Sequence, residues 1–189
     1  IFDSLKAQRK PAGVEAAEGF DTRLIVCDIN PQMLEEGRKR AKELGLKAEG
    51  ISLEFVEGDA EKLPLEDGSV DAITIAFGLR NVTRPLVALQ DAKRVLKKGG
   101  RFLCMEFSQP KDAGLRQIYD AYSFNVIPAL GQVVAGDAEP YQYLVESIRK
   151  FPDQESLCDM MREAGMEHVS YTDVMGGIVA IHSGFKMSD

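Results

Sequence analysis

Two apolar runs of strand length, residues 51–56 and 70–77, flank an acidic turn, and each leads into a polar cluster within the stretch EGDAEKLPLEDGSVDAITIAFGLRN at residues 57–81. Runs this short, bounded by turn residues and rich in β-branched side chains, read as buried strands of a parallel sheet rather than as helices. The first delivers Gly58-Asp59-Ala60-Glu61 and the second Gly78-Leu79-Arg80-Asn81. In an open α/β sheet, ligands lie outside the carboxyl ends of the strands, so both clusters are expected to open onto one crevice.

The rest of the chain repeats the rhythm. RLIVCD at residues 23–28 is a continuous apolar run ending in an acid, as a buried parallel strand should be, and Asn30-Pro31 then fits the N-cap and first turn of a helix carrying Met33, Leu34, Gly37 and Ala41 toward Gly45. After the Val70 strand, Thr83-Arg84-Pro85 opens a helix with Leu86, Leu89, Ala92, Val95 and Leu96 on one face, which Gly99-Gly100 is expected to close before the strand RFLCMEF. Such alternation implies crossover connections, hence a parallel sheet with helices on both faces. Residues 109–150 break the pattern with aromatic, helical pieces around AGDAEP, holding Tyr119, Tyr122, Phe124, Tyr141 and Tyr143. A helix, QESLCDMMREAG, follows, and HVSYTDV and GIVAIHSGFK, divided at Met175-Gly176-Gly177, are expected to form an antiparallel hairpin.

At 189 residues the chain suits a single domain, and 30 acidic against 23 basic residues, without a dense Lys/Arg block, argue against nucleic acid as a partner. The cysteines, Cys27, Cys104 and Cys158, are odd in number and widely spaced, which fits a reducing compartment and no structural zinc. No apolar run approaches the roughly 18 residues that a membrane-crossing helix needs. The chain opens at Ile1, and its first residues look like the tail of an amphipathic helix, so a start within a larger protein is expected.

Several residues could carry chemistry. Asp28, at the end of its strand, is placed to accept hydrogen bonds from a ribose diol; the other reading is an acid that caps the next helix. Asp59 and Ala60 could offer a carboxylate and an N–H to the edge of a purine ring, with Met33 and Leu63 flanking it, although GDAE also makes a good turn and Met more often fills a core. Arg80 and Asn81 follow an apolar strand directly, where a charge needs a cleft or a partner, and a cleft is the expected choice. An arginine there could stabilise a developing phenolate, and Asn81 could donate and accept at a ring substituent. His182 and His168 lie on the hairpin, where structural roles are expected, and the aromatic insertion is either a packed lid or the wall for an apolar, aromatic substrate. No metal-ligand spacing, Ser-His-Asp set or phosphate loop is present.

The element order resembles that of the class I S-adenosylmethionine methyltransferases, and FGLRNVTRPLVAL, GGRFLCMEFSQP, YQYLVESIRKFP and GIVAIHSGFK are similar to pieces of the ubiquinone/menaquinone-biosynthesis C-methyltransferases, most of all their mitochondrial branch. The likeness covers about residues 23–186, in the family's order. It implies a Rossmann-like sheet with a C-terminal antiparallel hairpin, and S-adenosyl-L-methionine bound through Asp28 at the ribose and Asp59 with Ala60 at the adenine. It also implies Arg80 and Asn81 as catalytic and quinol-facing residues, Tyr143 and Ser147 as pocket lining, and no metal. A polyprenyl benzoquinol substrate, homodimerisation, contact with other ubiquinone-biosynthesis proteins and peripheral placement on the matrix side of the inner membrane come with the same resemblance.

One departure matters: the family's first strand and its glycine-rich loop are absent from residues 1–189. In the family's order 3-2-1-4-5-7-6 this should leave a gap between the Arg23 strand and the Val70 strand, so the chain alone is expected to be inactive unless another segment or chain fills it. Two further readings stand beside quinol methylation: a methyltransferase for another small acceptor, and a non-catalytic scaffold that uses its apolar insertion to bind a membrane or partner.

Overall fold

A computed structural model describes residues 22–45, 51–114, 116–117, 119 and 139–188. The expected helix tail at residues 1–11, the connection after it and most of the aromatic insertion, Tyr122 and Phe124 included, lie outside the described residues. The chain divides after Glu57 into two compact units.

In the first unit, strand β1 (Thr22–Asp28) pairs in parallel with β2 (Ile51–Glu57), from Thr22 opposite Ile51 to Asp28 opposite Glu57. Helix α1 (Pro31–Glu43) makes the crossover. It starts where the sequence says it should: Asn30 Oδ1 accepts from the Gln32 N–H at 2.9 Å, and Pro31 stands where no N–H is needed. Gly37 lets the helix sit close to β2, because a Cβ there would come within 3.0 Å of the Phe55 ring. The expectation of a buried strand is corrected in part: no β1 residue is fully buried, and Thr22 and Arg23 are exposed. Arg23 forms a two-pronged contact with Glu54 at 2.7 and 2.8 Å, a surface pair of little energetic weight.

In the second unit, β3 (Val70–Ala76), β4 (Leu96–Phe107), β5 (Glu167–Val174) and β6 (Val179–Phe185) form one sheet in the order β3-β4-β6-β5. β3 and β4 run parallel, whereas β6 is antiparallel to both of its neighbours, which is the expected terminal hairpin. Among the described residues the β1–β2 pair and the four-stranded sheet are separate sheets. The unit also holds helices α2 (Pro85–Val95), α3 (Glu139–Lys150) and α4 (Gln154–Glu163).

The core lies where the apolar stripes of α2 and α4 meet one face of β4, with Leu89, Leu96, Cys104, Leu157 and Met161 fully enclosed. Alternation along β4 turns Phe102, Cys104 and Glu106 inward and leaves Leu103, Met105 and Phe107 half-buried. Burial pushes the Cys104 thiol up to about 12, with the Glu106 charge adding to the effect, so it stays protonated and behaves as a small apolar group.

The expected end of α2 is also corrected. The helix stops at Val95, not at the glycine pair, because Leu96 is already extended and pairs with Val70. Lys97 to Gly100 then form the irregularity between the pairs Val70–Leu96 and Ala72–Arg101. Gly99 takes φ 82 within it, and its N–H donates to the Lys186 carbonyl at 2.6 Å.

Candidate active site

In the first unit, β1 ends in Asp28, whose Oδ1 accepts from the Asn30 N–H at 2.8 Å. Helix capping is therefore part of what this carboxylate does, and its second oxygen has no protein partner among the described residues. Met33, one turn into α1, is 59% exposed, so the core role open to a methionine there does not apply.

In the second unit, Asp59 and Ala60 begin a tight turn. Asp59 Oδ1 accepts from the Glu61 N–H at 2.9 Å, and its carbonyl accepts from the Lys62 N–H at 3.0 Å. The turn is fastened to α2 at two points. Glu61 accepts from the Arg84 N–H and from its Nε, each at 2.7 Å, while Leu63 donates its N–H to Asp91 at 2.6 Å. Arg94 completes the hold by donating to the Leu63 and Leu65 carbonyls at 3.0 and 2.9 Å and to Asp67 and Asp91. Burial alone would raise the Asp91 carboxyl, but bonds from Arg94 and Leu63 outweigh it and leave the group below its ordinary range. A loop held this way presents the Asp59 carboxylate and the Ala60 N–H, which meets no protein acceptor among the described residues, in one fixed arrangement. An acid and a free N–H are the acceptor and the donor that the edge of an adenine requires.

The Val70 strand runs to Ala76, and the polar cluster expected after it includes a short 3-10 turn at Leu79–Asn81. Arg80 is nevertheless not an open cation facing a cleft. Its Nη1 donates to Glu106 Oε1 at 2.7 Å and to the Phe77 carbonyl, its backbone N–H reaches Glu106 Oε2 at 3.3 Å, and its guanidinium lies 5.3 Å over the Phe107 ring. The side chains are 11% and 1% exposed. Phe77, whose ring centroid is 4.7 Å from that of Phe107, adopts φ 55, a left-handed conformation that a bulky residue holds only where its surroundings impose it.

Asn81 and Tyr143 come together, the Tyr143 hydroxyl donating to Asn81 Oδ1 at 3.5 Å, and Tyr143 is 60% exposed. Ser147, one turn further along α3, instead donates to the Leu144 carbonyl of its own helix at 2.9 Å. Glu106 escaped the sequence reading. Its signal was an acid at an inward position of the apolar run RFLCMEF, a placement that costs several kcal/mol unless a cation answers it.

His182 is structural, as expected. It is 2% exposed, its Nε2 lies 3.0 Å from the Gln154 carbonyl, and Tyr171 packs 5.5 Å from its ring. Burial holds its pKa below the ordinary 6.5, against the opposing pull of the Gln154 carbonyl and nearby acids. A histidine in this position binds fewer protons folded than unfolded, so its contribution to stability is complete above pH 6.5 and is lost as the pH falls below that value. Urea unfolding followed between pH 5 and 7 should therefore show a steeper acid loss in the native chain than in His182→Gln; matching slopes would remove this residue as the cause.

A family model described as "ubiE/COQ5 methyltransferase family" matches residues 7–186. Proteins named "2-methoxy-6-polyprenyl-1,4-benzoquinol methylase, mitochondrial" are similar: that of Oryza sativa subsp. japonica is 58% identical over 167 residues, covering 88% of this chain and 56% of that protein. That of Arabidopsis thaliana is 51% identical over 189 residues, covering 99% and 65%, and that of Danio rerio 56% identical over 190 residues, covering 96% and 57%. The chain thus spans between 56% and 65% of the length of these relatives. Among solved structures, a SAM-dependent methyltransferase, possible histamine N-methyltransferase, from Thermotoga maritima superposes with a TM-score of 0.58 at 24% identity, covering 86% of this chain and 72% of that one. The [4+2]-cyclase SpnF gives 0.62 at 17% identity, covering 89% and 67%. These likenesses show the fold, a Rossmann-like α/β methyltransferase sheet.

Proposed function

Because the chain belongs to the ubiE/COQ5 methyltransferase family, we propose that it carries most of the catalytic domain of a C-methyltransferase, one that methylates the ring of a polyprenyl benzoquinol in ubiquinone biosynthesis. The observation that carries this reading is identity of 51–58% over nearly the whole chain with proteins named as mitochondrial benzoquinol methylases. S-adenosyl-L-methionine, when bound, supplies an electrophilic methyl group.

The chain's own residues take the remaining roles. Asp28 accepts the ribose hydroxyls through its uncommitted oxygen, and Asp59 and Ala60 read the adenine edge from a loop that α2 keeps rigid. Met33, exposed on α1, supplies apolar cover for the ring. A ring carbon is a poor nucleophile until a hydroxyl on the ring is deprotonated, so the site must favour the phenolate and hold it in place. Arg80 serves that end electrostatically, while Asn81 and Tyr143, already in contact, bind a ring substituent. Ser147 lines the pocket through its Cβ side, since its hydroxyl is engaged within the helix. Homodimerisation and attachment to the matrix face of the inner membrane, beside other enzymes of the same pathway, complete the proposal.

Calorimetry on the complete protein separates this from its rivals. Binding of S-adenosylmethionine, followed by transfer of label from its methyl group to a ring carbon of a short-chain benzoquinol, is the expected result. Transfer to a different acceptor would reassign the substrate, and no heat of binding at all would favour a scaffold.

A further inference from the structure

We propose that Glu106 is a positioning residue for Arg80: it holds the guanidinium at the end of β3 and, by balancing its charge, sets how strongly that group favours an ionised aromatic hydroxyl. The proposal rests on the reading that Arg80 favours the phenolate electrostatically. Glu106 is almost wholly enclosed on the inward face of β4, and it gathers three donors. Oε1 accepts from Arg80 Nη1 at 2.7 Å and from the Phe107 N–H at 2.9 Å, while Oε2 accepts from the Arg80 N–H at 3.3 Å.

Stability alone explains such a pair poorly, because well-packed apolar residues in place of a buried ion pair are often as stable or more so. Two independent features of the same spot point beyond packing. Phe77 keeps a left-handed backbone whose carbonyl meets Arg80 Nη1 and whose N–H donates to Met105 at 2.9 Å, so local strain is accepted where it orients the guanidinium. Among the described residues the buried Arg80 Nε meets no hydrogen-bond partner, so the group is not arranged to satisfy all its own donors there. With both carboxylate oxygens committed and no access to solvent, Glu106 is in no position to take a proton from a substrate; it acts through Arg80.

A carboxylate 2.7 Å from the guanidinium offsets part of the field that Arg80 projects. Removing that charge while keeping the side chain's shape must make the site more positive and lower the pH at which a bound phenol ionises. The test uses the complete protein with 4-nitrophenol as a chromogenic probe, titrated by absorbance in the bound state without methyl donor, alongside steady-state kinetics. Glu106→Gln should shift ionisation of the bound probe down by about one pH unit, cut kcat about tenfold through lost placement, and leave the KM for S-adenosylmethionine within about twofold. A bound probe that ionises where it does in the native protein, with only the melting temperature changed, would overturn the proposal.

Arg80→Gln distinguishes the role of Glu106 from that of Arg80. If it raises the ionisation pH of the probe while Glu106→Gln moves nothing, the role of Glu106 is wrong and that of Arg80 stands. If Arg80→Gln also moves nothing, both fall. Should Glu106→Gln fail to fold, Glu106→Asp keeps the charge but shortens the reach by one methylene; about a tenfold loss of kcat at unchanged methyl-donor Kd is expected, and full kcat would count against the positioning role.

Discussion

Replacing Arg80 by alanine in the complete protein is expected to lower kcat for methyl transfer by about 100-fold or more, the scale seen when one preorganised charge-stabilising donor is removed. Affinity for S-adenosylmethionine should stay within about twofold, because the groups assigned to the nucleoside are Asp28, Asp59 and Ala60. The variant has a second consequence. It strands Glu106, 1% exposed, without its cation, and breaking a buried pair from one side costs about 3–5 kcal/mol. Arg80→Lys separates the effects: a lysine retains the charge and much of the stability but offers no planar fork, so turnover should fall about tenfold or more while the fold survives. Calorimetric titration with the methyl donor, run beside the kinetics, decides the matter. Equal losses of donor affinity and turnover would contradict the assignment.

The second large effect concerns the core. Leu89 is fully buried on α2, within the cluster that joins α2, α4 and the inner face of β4. Leu89→Ala should cost about 3 kcal/mol, from lost transfer energy plus the cavity left between elements unable to collapse fully, and lower the Tm by roughly 6–12 °C. Gln90, its exposed neighbour on the same helix, provides the control, since Gln90→Ala should change stability by less than about 0.5 kcal/mol. Comparable urea midpoints for the two variants would mean that α2 does not anchor this core.

What could be read in advance follows a physical division. Asn30-Pro31 announced its helix because capping is local, and the terminal hairpin announced itself through alternation on either side of a glycine turn. The polar residues after β3 stood out because charge directly after an apolar run is costly anywhere, but the sequence did not show that Arg80 would pair with Glu106. The end of α2 was misread because Leu96 fits a helical stripe equally well, and only pairing with Val70 decides that it is the first residue of a strand. Glu106 was missed for the same reason: its partner lies 26 positions away, and neither residue carries a sign of the other. Periodicity reports which face is buried; it is silent on which two buried charges will meet.

The strand order carries a consequence for how this chain is made. β6, the last strand in chain order among the described residues, sits between β4 and β5, and the Arg101–Ser183 contact joins residues 82 positions apart. As the polypeptide leaves the ribosome, β4 can pair with β3 on one side only, and β5 has no neighbour until the final hairpin closes. Two unpaired edges must wait until β6 emerges. During that interval the nascent chain is open to mispairing with other chains, and chaperone protection matters most there.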